Sequence, residues 1–444
     1  MKQVLLIAIF SASVSLGRQP QQLSLDDAIR IGRENSKALR ISELKVDAAS
    51  AKTMEAKAAM LPSLKFEGSY KRLSDVDPFS VQVPFSPTPI VLSPTVLNNY
   101  NVKVGLQQPL FTGFRLGSNA RAAEYLEEAT EAERHGNESD LVLNITSLYW
   151  ILYQAIETKT FVDENVERLT SYQSDTENLM KAGMATRNDL LRVQVQLSNA
   201  RLSQIDAVND VEVATMNLNT IMGQPVDTQI HLISVPTTTM GQEGSPANVS
   251  SGTPSPILVE MALKNRPDLL AMQSRVEAAK AGVIAAQGSW WPQLALTANY
   301  MYSRPNPRYL PTKDEFKPTW EVGVVMQFDI WNWGTTLFQT EQAWSQLEQN
   351  KFSLSQMKDN ATLEVRRYQL GVERATKRID VALASIQQAE ENSRSTNEKY
   401  KNGLTTSTEL LDASLAVLQA KTSYTGALVE HEIAQARLNK AVGN

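Results

Sequence analysis

Residues 181–223 and 401–443 align without a gap at an offset of 220, with 13 of 43 positions identical, where about 3 are expected from average residue usage. The identical pairs include Lys181/Lys401, Gly183/Gly403, Thr186/Thr406, Leu190/Leu410, Leu191/Leu411, Ala200/Ala420, Leu218/Leu438, Asn219/Asn439 and Gly223/Gly443. An earlier block aligns at an offset of 230, pairing Asn35 with Asn265, Leu39 with Leu269, Ala48 and Ala49 with Ala278 and Ala279, Pro62 with Pro292, Leu64 with Leu294 and Tyr70 with Tyr300. A chain duplicated in this way folds as two copies of one unit. The copies are expected at 18–223 and 257–444, the first carrying ten more residues between Pro62 and Gly113. Between them, residues 224–256 hold Pro225, Pro236, Pro246, Pro254 and Pro256 among many Ser, Thr and Gly, which predicts a linker of short irregular structure.

Each copy opens with an alanine-rich helical segment, over roughly 25–60 and 257–289, ended by Pro62 and Pro292. Beyond each proline the residues alternate with period two. Leu64, Phe66 and Tyr70 face away from Lys65, Glu67, Ser69 and Lys71, and Tyr100, Val102, Val104 and Leu106 face away from Asn101, Lys103 and Gln107. In the second copy Leu294, Leu296, Ala298, Tyr300 and Tyr302 alternate with Gln293, Thr297, Asn299 and Ser303, and Trp320, Val322, Val324, Met326 and Phe328 with Glu321, Gln327 and Asp329. Strands are therefore expected at about 62–72, 99–110, 292–303 and 319–329. One apolar and one polar face over about 10 residues is the pattern of a membrane-barrel strand. Trp290, Trp291, Trp331 and Trp333 fall at one end of these strands, where an aromatic girdle meets the membrane interface. Four strands cannot close a barrel, and open edges in lipid leave backbone groups unpaired. Known barrels need about eight strands or more, so a dimer supplies eight and a trimer twelve; the pattern alone leaves both open.

Stretches of about 70 residues without proline then run from Gly113 to Gly183 and from Gly334 to Gly403. As single helices they are about 100 Å long. In the returning segments Leu190, Leu197, Val211 and Leu218 recur in steps of seven, as do Val193, Ala200, Ala207, Ala214 and Ile221. Ala413, Ala420, Ala427, Ala434 and Ala441 hold one heptad position of the second copy. Such heptads predict coiled-coil packing, with alanine bringing helices close together.

The first residues, Met1-Lys2 followed by an apolar core from Val4 to Phe10 and small residues to Gly17, predict a secretory signal peptide over 1–17. The chain is thus expected outside the cytoplasm. It has no cysteine, which excludes disulfides, thiolate metal sites, thiol catalysis and lipidation through an N-terminal cysteine. A formal charge of −5 gives no basic surface for nucleic acid. His135, His231 and His431 lack a second ligand at metal spacing, and no phosphate loop, nucleophile elbow or zinc motif occurs. No catalytic residue, cofactor or metal is expected. A periplasmic coiled-coil scaffold or adaptor is the competing class, and it leaves the four alternating strands unexplained.

The ordered motifs carry a resemblance. They are Asn35-x3-Leu39 and Asn265-Arg266-Pro267-Asp268-Leu269, then Leu61-Pro62 and Trp291-Pro292, then Pro109-Leu110-Phe111 before Gly113. The turns read Lys181-Ala182-Gly183 followed by Asp189-Leu190-Leu191, and Tyr400-Lys401-Asn402-Gly403 followed by Glu409-Leu410-Leu411-Asp412-Ala413. The chain resembles the TolC-like outer-membrane factors. The resemblance implies a mainly α protein with membrane β-structure: a homotrimer forming a 12-stranded β-barrel in the outer membrane of a Gram-negative bacterium and an α-helical barrel in the periplasm. It implies a passive export duct of a tripartite efflux or type I secretion system. The implied partners are a periplasmic adaptor (membrane fusion) protein, an inner-membrane pump of RND or ABC type, and outer-membrane lipid. Matched by position, the turns at Gly183 and Gly403 meet the adaptor, and Glu409 and Asp412 ring the constriction of the tip. Asp189 and Tyr400 match two members of the network that closes it; the arginine position is Thr405 here, and Arg187 on the neighbouring turn is the expected substitute.

Overall fold

A computed structural model describes residues 21–85, 87–93, 95–236 and 254–443. The expected signal peptide, 1–17, and the middle of the expected linker, 237–253, lie outside the described residues. The chain divides into two compact units whose boundaries fall inside helices. One comprises Leu44–Ala132 and Leu270–Gln356; the other comprises the described residues of Met1–Glu43, Glu133–Leu269 and Met357–Asn444.

The first of these units holds a four-stranded antiparallel sheet of β2 (Ser63–Arg72), β5 (Asn98–Phe111), β7 (Gln293–Arg304) and β8 (Lys317–Gln327), in the order β2-β5-β7-β8. Its register gathers the alternating residues. Leu64 pairs with Leu106, Phe66 with Val104 and Tyr70 with Tyr100. Across β5 and β7, Val102 pairs with Tyr302 and Val104 with Tyr300, while β7 sets Ala298 against Val322 and Tyr300 against Trp320. Residues one step along point to the other side. There Glu67 pairs with Lys103, Asn101 with Ser303 and Asn299 with Glu321. The apolar face is uncovered: Phe66, Val322, Val324 and Trp320 are all exposed on the single chain. β2 and β8 are open edges. β8 pairs only as far as Gln327, opposite Gln293, so Phe328 and Asp329, expected in the strand, have no partner; β7 begins after Pro292, which lacks an N–H. The proline-rich stretch expected as loop, 73–99, contains a small hairpin of β3 (Phe79–Val81) and β4 (Ile90–Ser93).

Helices carry the chain onward. α3 (Arg115–Lys181) and α7 (Thr335–Lys401) are each 67 residues long. α4 (Arg187–Ile221) and α8 (Ser407–Ala441) are each 35. The opening helices, expected unbroken, are each broken once, giving α1 (Leu25–Asn35) and α2 (Lys37–Ala58), and α5 (Ser255–Asn265) and α6 (Pro267–Gln287). In the second copy the cause is Pro267, which drives Arg266 out of helical backbone to ψ 122°. In the first copy Ser36 takes a similar ψ of 115°, and its hydroxyl accepts from Leu39 N–H at 3.2 Å, capping α2. No described helix is long and apolar enough to cross a membrane.

The second unit contains the coiled-coil heptads. Val193, Ala200, Ala207 and Ala214 are buried on α4, and Ala413, Ala420, Ala427 and Ala441 on α8. A core around Ile145, Tyr149 and Leu152 of α3 packs Leu23, Ala28, Leu218 and Met222. Linker residues contribute here: β6 (Ile230–Leu232) pairs in parallel with β1 (Gln21–Leu23). Tyr149 hydroxyl ties the pair in place, donating to Leu23 carbonyl at 3.1 Å and accepting from Ser234 N–H at 3.0 Å.

Candidate functional site

Two helix turns, Lys181–Thr186 and Lys401–Thr406, form the end of the second unit. Both are closed in the same way. Gly183 (φ +76°) and Gly403 (φ +68°) take the left-handed conformation. Met184 N–H donates to Leu179 carbonyl at 2.8 Å, and Leu404 N–H to Lys399 carbonyl at 2.8 Å, which is the bonding of a glycine-terminated helix end. Each returning helix then starts on a threonine cap. Thr186 and Asp189 cap α4 reciprocally, and Thr406 accepts from Glu409 N–H at 3.3 Å on α8.

Polar contacts join the two turns within one chain. Ser407 hydroxyl donates to Asp189 Oδ1 at 2.7 Å, and Arg192 Nη1 donates to Thr408 Oγ1 at 2.6 Å. Tyr400, buried, shares a 2.8 Å hydrogen bond with Thr176 of α3, and Lys401 lies 3.8 Å from Asp175. An apolar cluster of Leu169, Tyr172, Val193, Leu197, Tyr400 and Leu410 backs these contacts. The Thr186 and Ser407 hydroxyls hold the Asp189 carboxyl below its ordinary range. Burial pushes the Tyr400 phenol up, and the nearby Asp189 and Asp175 charges act in the same direction.

The expected closing set of Asp189, Tyr400, Arg187 and Thr405 is therefore not one network within a chain. Asp189 answers to Ser407, Tyr400 to Thr176, and Thr405 hydroxyl donates to Glu409. Among the described residues the Arg187 side chain has no hydrogen bond or ion pair inside the chain. The partner of Asp189 is Ser407, the repeat counterpart of Arg187 at the offset of 220, and neither Arg187 nor Thr405. Thr176, Arg192, Ser407 and Thr408 carry no signal in the sequence pattern. A comparison of the two copies residue by residue shows only that Ser407 stands where the first copy has the charged Arg187. Glu409 and Asp412 both point out from the first turns of α8 and are exposed on the single chain. Before β7 and after β8, Trp290, Trp291, Trp331 and Trp333 are all exposed, and Trp331 and Trp333 meet edge to face at 5.9 Å.

A sheet apolar on one face and open at both edges, together with helices of 67 residues closed by paired glycine turns, is the pattern of an outer-membrane efflux protein. The model of the family described as outer membrane efflux protein matches residues 28–224 and 258–444, one match per repeat and well over half of the chain. The chain belongs to that family. The outer membrane efflux protein BepC of Brucella suis biovar 1 is 24% identical over 260 residues, a match covering 58% of this chain and about half, 53%, of the relative. The probable efflux pump outer membrane protein TtgC of Pseudomonas putida is 23% identical over 374 residues, covering 81% of this chain and 68% of its own length. The fold is that of the outer membrane protein VceC from Vibrio cholerae, at 17% identity and a TM-score of 0.77 over 95% of this chain and 96% of that one.

Proposed function

We propose that this protein is the outer-membrane duct of a tripartite efflux or secretion system, acting as a homotrimer. The observation that carries the reading is the sheet. Its exposed apolar face belongs against lipid, and its polar face, with Glu67–Lys103 and Asn299–Glu321 pairs, belongs against water. The open edges β2 and β8 need partners, and three copies supply twelve strands. Trp290, Trp291, Trp331 and Trp333 then sit at the periplasmic membrane interface. The residues 62–72, 99–110, 292–303 and 319–329 serve as the membrane strands, and 224–256 as an equatorial segment beside the helices.

In the same reading the turns at Gly183 and Gly403 form the periplasmic tip and meet an adaptor protein, through which an inner-membrane pump delivers cargo. Glu409 and Asp412 face the axis and set its preference for cations. Asp189, Tyr400, Arg187 and Thr405 belong to the contacts that open and close the tip, Arg187 through a neighbouring chain. Support comes from the names of relatives, which are efflux and secretion proteins: BepC, TtgC, and the alkaline protease secretion protein AprF of Pseudomonas aeruginosa. The test is to express the chain with its own N-terminus, extract outer membranes with detergent and measure the detergent-corrected mass by light scattering. Three chains per particle is the expected result. A detergent-free monomer in the periplasmic fraction overturns the reading.

A further inference from the structure

The polar face of the four-stranded sheet carries an unequal set of charges. Along β2 it presents Ser63, Lys65, Glu67, Ser69 and Lys71, because side chains change face at every residue. The register continues this face through Lys103 of β5, Asn299 of β7, and Lys317 and Glu321 of β8. Its two acids each have a base of their own. Glu67 lies 3.9 Å from Lys103, and Glu321 lies 2.6 Å from Arg308. Lys317 is matched by Glu315 at 2.8 Å. Lys65 and Lys71 are left over. Both are exposed, and among the described residues neither has an ionic partner in the chain.

A neighbouring copy does not supply the missing acid. β2 is an edge of the sheet, and in the trimer proposed above it meets the other edge, β8, of the next copy. The polar face of β8 holds one carboxylate, Glu321, which already accepts from Arg308 at 2.6 Å and from Asn299 at 2.9 Å. It adds a base, Lys317. Asp75 and Asp77 follow in the loop past Arg72, and Asp329 lies past Gln327, the last paired residue of β8, so all three stand outside the strands. The surplus of positive charge on the strands therefore survives closure of the barrel.

The two lysines are also unobstructed. Lys65 pairs across the strands with Gly105, which has no side chain to stand before the ammonium group. Lys71 pairs with Asn99, whose amide is turned to its own loop, donating to Val96 carbonyl at 3.0 Å. In three copies Lys65 and Lys71 make two rings of three ammonium groups around one water-filled lumen. Fields of one sign converge in such a confined space and concentrate counter-ions there. Rings of basic side chains are the means by which pores favour anions and phosphates.

We propose that the strand-lined part of the duct is an anion-attracting wall, and that Lys65 and Lys71 assist the passage of cargo bearing carboxylate, sulfate or phosphate groups. This rests on the duct proposed above, with the polar face of the sheet toward its lumen, and names a class of molecule that the duct favours. The charge is opposite in sign to that of Glu409 and Asp412, so the ion preference of the whole channel is a balance between two sets of residues.

Single-channel recording in planar bilayers tests the wall. Lys65→Gln/Lys71→Gln is expected to insert normally and to shift the reversal potential in a potassium chloride gradient toward the potassium limit. The shift is expected to be largest in dilute salt and to fade near 1 M, where screening falls to about 3 Å. Glu67→Gln/Lys103→Gln removes one charge of each sign and is expected to leave the reversal potential in place. Citrate, added as a small organic anion, is expected to lower the conductance of the unaltered channel and to have a smaller effect on the lysine variant. The chain has no cysteine, so the faces can be read independently. A membrane-impermeant sulfonate thiol reagent is expected to lower conductance through Lys65→Cys and to leave Phe66→Cys unchanged. A reversal potential indifferent to both lysines, or equal action of citrate on both channels, overturns the anion-attracting wall and leaves the duct standing. Reaction at Phe66→Cys with Lys65→Cys inert reverses the two faces of the sheet and overturns the wall with them. Extracted protein that forms no channel overturns the duct itself.

Discussion

Gly223 closes α4 at φ +69° directly against the end of α1: a β-carbon there would lie 2.9 Å from both Cβ and the carbonyl oxygen of Asn35. The second copy repeats the contact, with Gly443 at φ +86° and a β-carbon position 2.7 Å from the carbonyl carbon of Asn265. The duplicated Asn and Gly are thus two halves of one joint between opening and returning helices. Gly223→Ala and Gly443→Ala add backbone strain and a backbone clash together and are expected to destabilise by about 2–3 kcal/mol each. Gly183 at φ +76° faces open space, so Gly183→Ala carries the strain alone, about 1 kcal/mol. Thermal unfolding of the extracted protein measures the order.

Arg266 is the second copy's own addition to that joint. Its side chain is only 14% exposed and donates to Asp268 at 2.8 Å and to Glu364 of α7 at 2.7 Å. The Asp268 hydrogen bond raises the Arg266 guanidinium, with Glu364 adding to it. At Asp268 burial pushes the carboxyl up, but the hydrogen bond and charge of Arg266 outweigh it and leave it lowered. Removing the guanidinium strands two carboxylates that are themselves partly solvated. Arg266→Met is therefore expected to destabilise by about 2 kcal/mol, below the full cost of breaking a buried pair. The loss is largest near neutral pH and shrinks in acid as Asp268 protonates; denaturant midpoints at two pH values check both.

Much of this architecture is legible in the sequence because its determinants are local. Alternation in Leu64–Tyr70 and Trp320–Phe328 marks strands, since side chains change face at every residue. Glycine at 183 and 403 ends helices because a left-handed residue is needed there. The rest depends on distance along the chain. Arg266 finds Glu364 98 residues away, and Ser407 finds Asp189 218 residues away, with no periodic trace at either end. The β1–β6 pair forms between two three-residue segments held by Tyr149, too short for any pattern to show. The break at Ser36 is a serine cap without a proline, and an alanine-rich stretch reads naturally as an unbroken helix.

The Asp189–Ser407 contact is expected to make the two paired turns sensitive to acid. Thr186 and Ser407 hydroxyls favour the charged carboxylate, so its folded pKa lies below the unfolded one. A lowered pKa means stability that is present above the ordinary carboxylate range and lost as pH falls through the folded value. Contact between the turns is expected to weaken below about pH 4. Ser407→Ala removes one hydroxyl and shifts the transition upward; Asp189→Asn abolishes it. Single-channel conductance in planar bilayers, titrated from pH 6 downward, follows the change directly.

Glu409 and Asp412 lie in the first turns of α8, three residues apart and therefore on one side of the helix. Neither is held in an ion pair among the described residues; the Glu409 carboxylate accepts from the Thr405 hydroxyl. In the trimer proposed above, with both acids facing its axis, these carboxylates are expected to bring six charges together, where their fields add and attract cations. Glu409→Gln/Asp412→Asn removes that field and hardly changes side-chain volume. The expected outcome is a loss of cation preference, read as a shift of the reversal potential toward zero in a salt gradient, with channel insertion unchanged. Glu409→Gln alone also keeps the Thr405 contact, since an amide oxygen accepts as a carboxylate does. Loss of selectivity in that single variant therefore reports charge and not a rearranged turn. Unchanged selectivity in the double variant means that the two acids face away from the axis and that other residues set the ion preference of the duct.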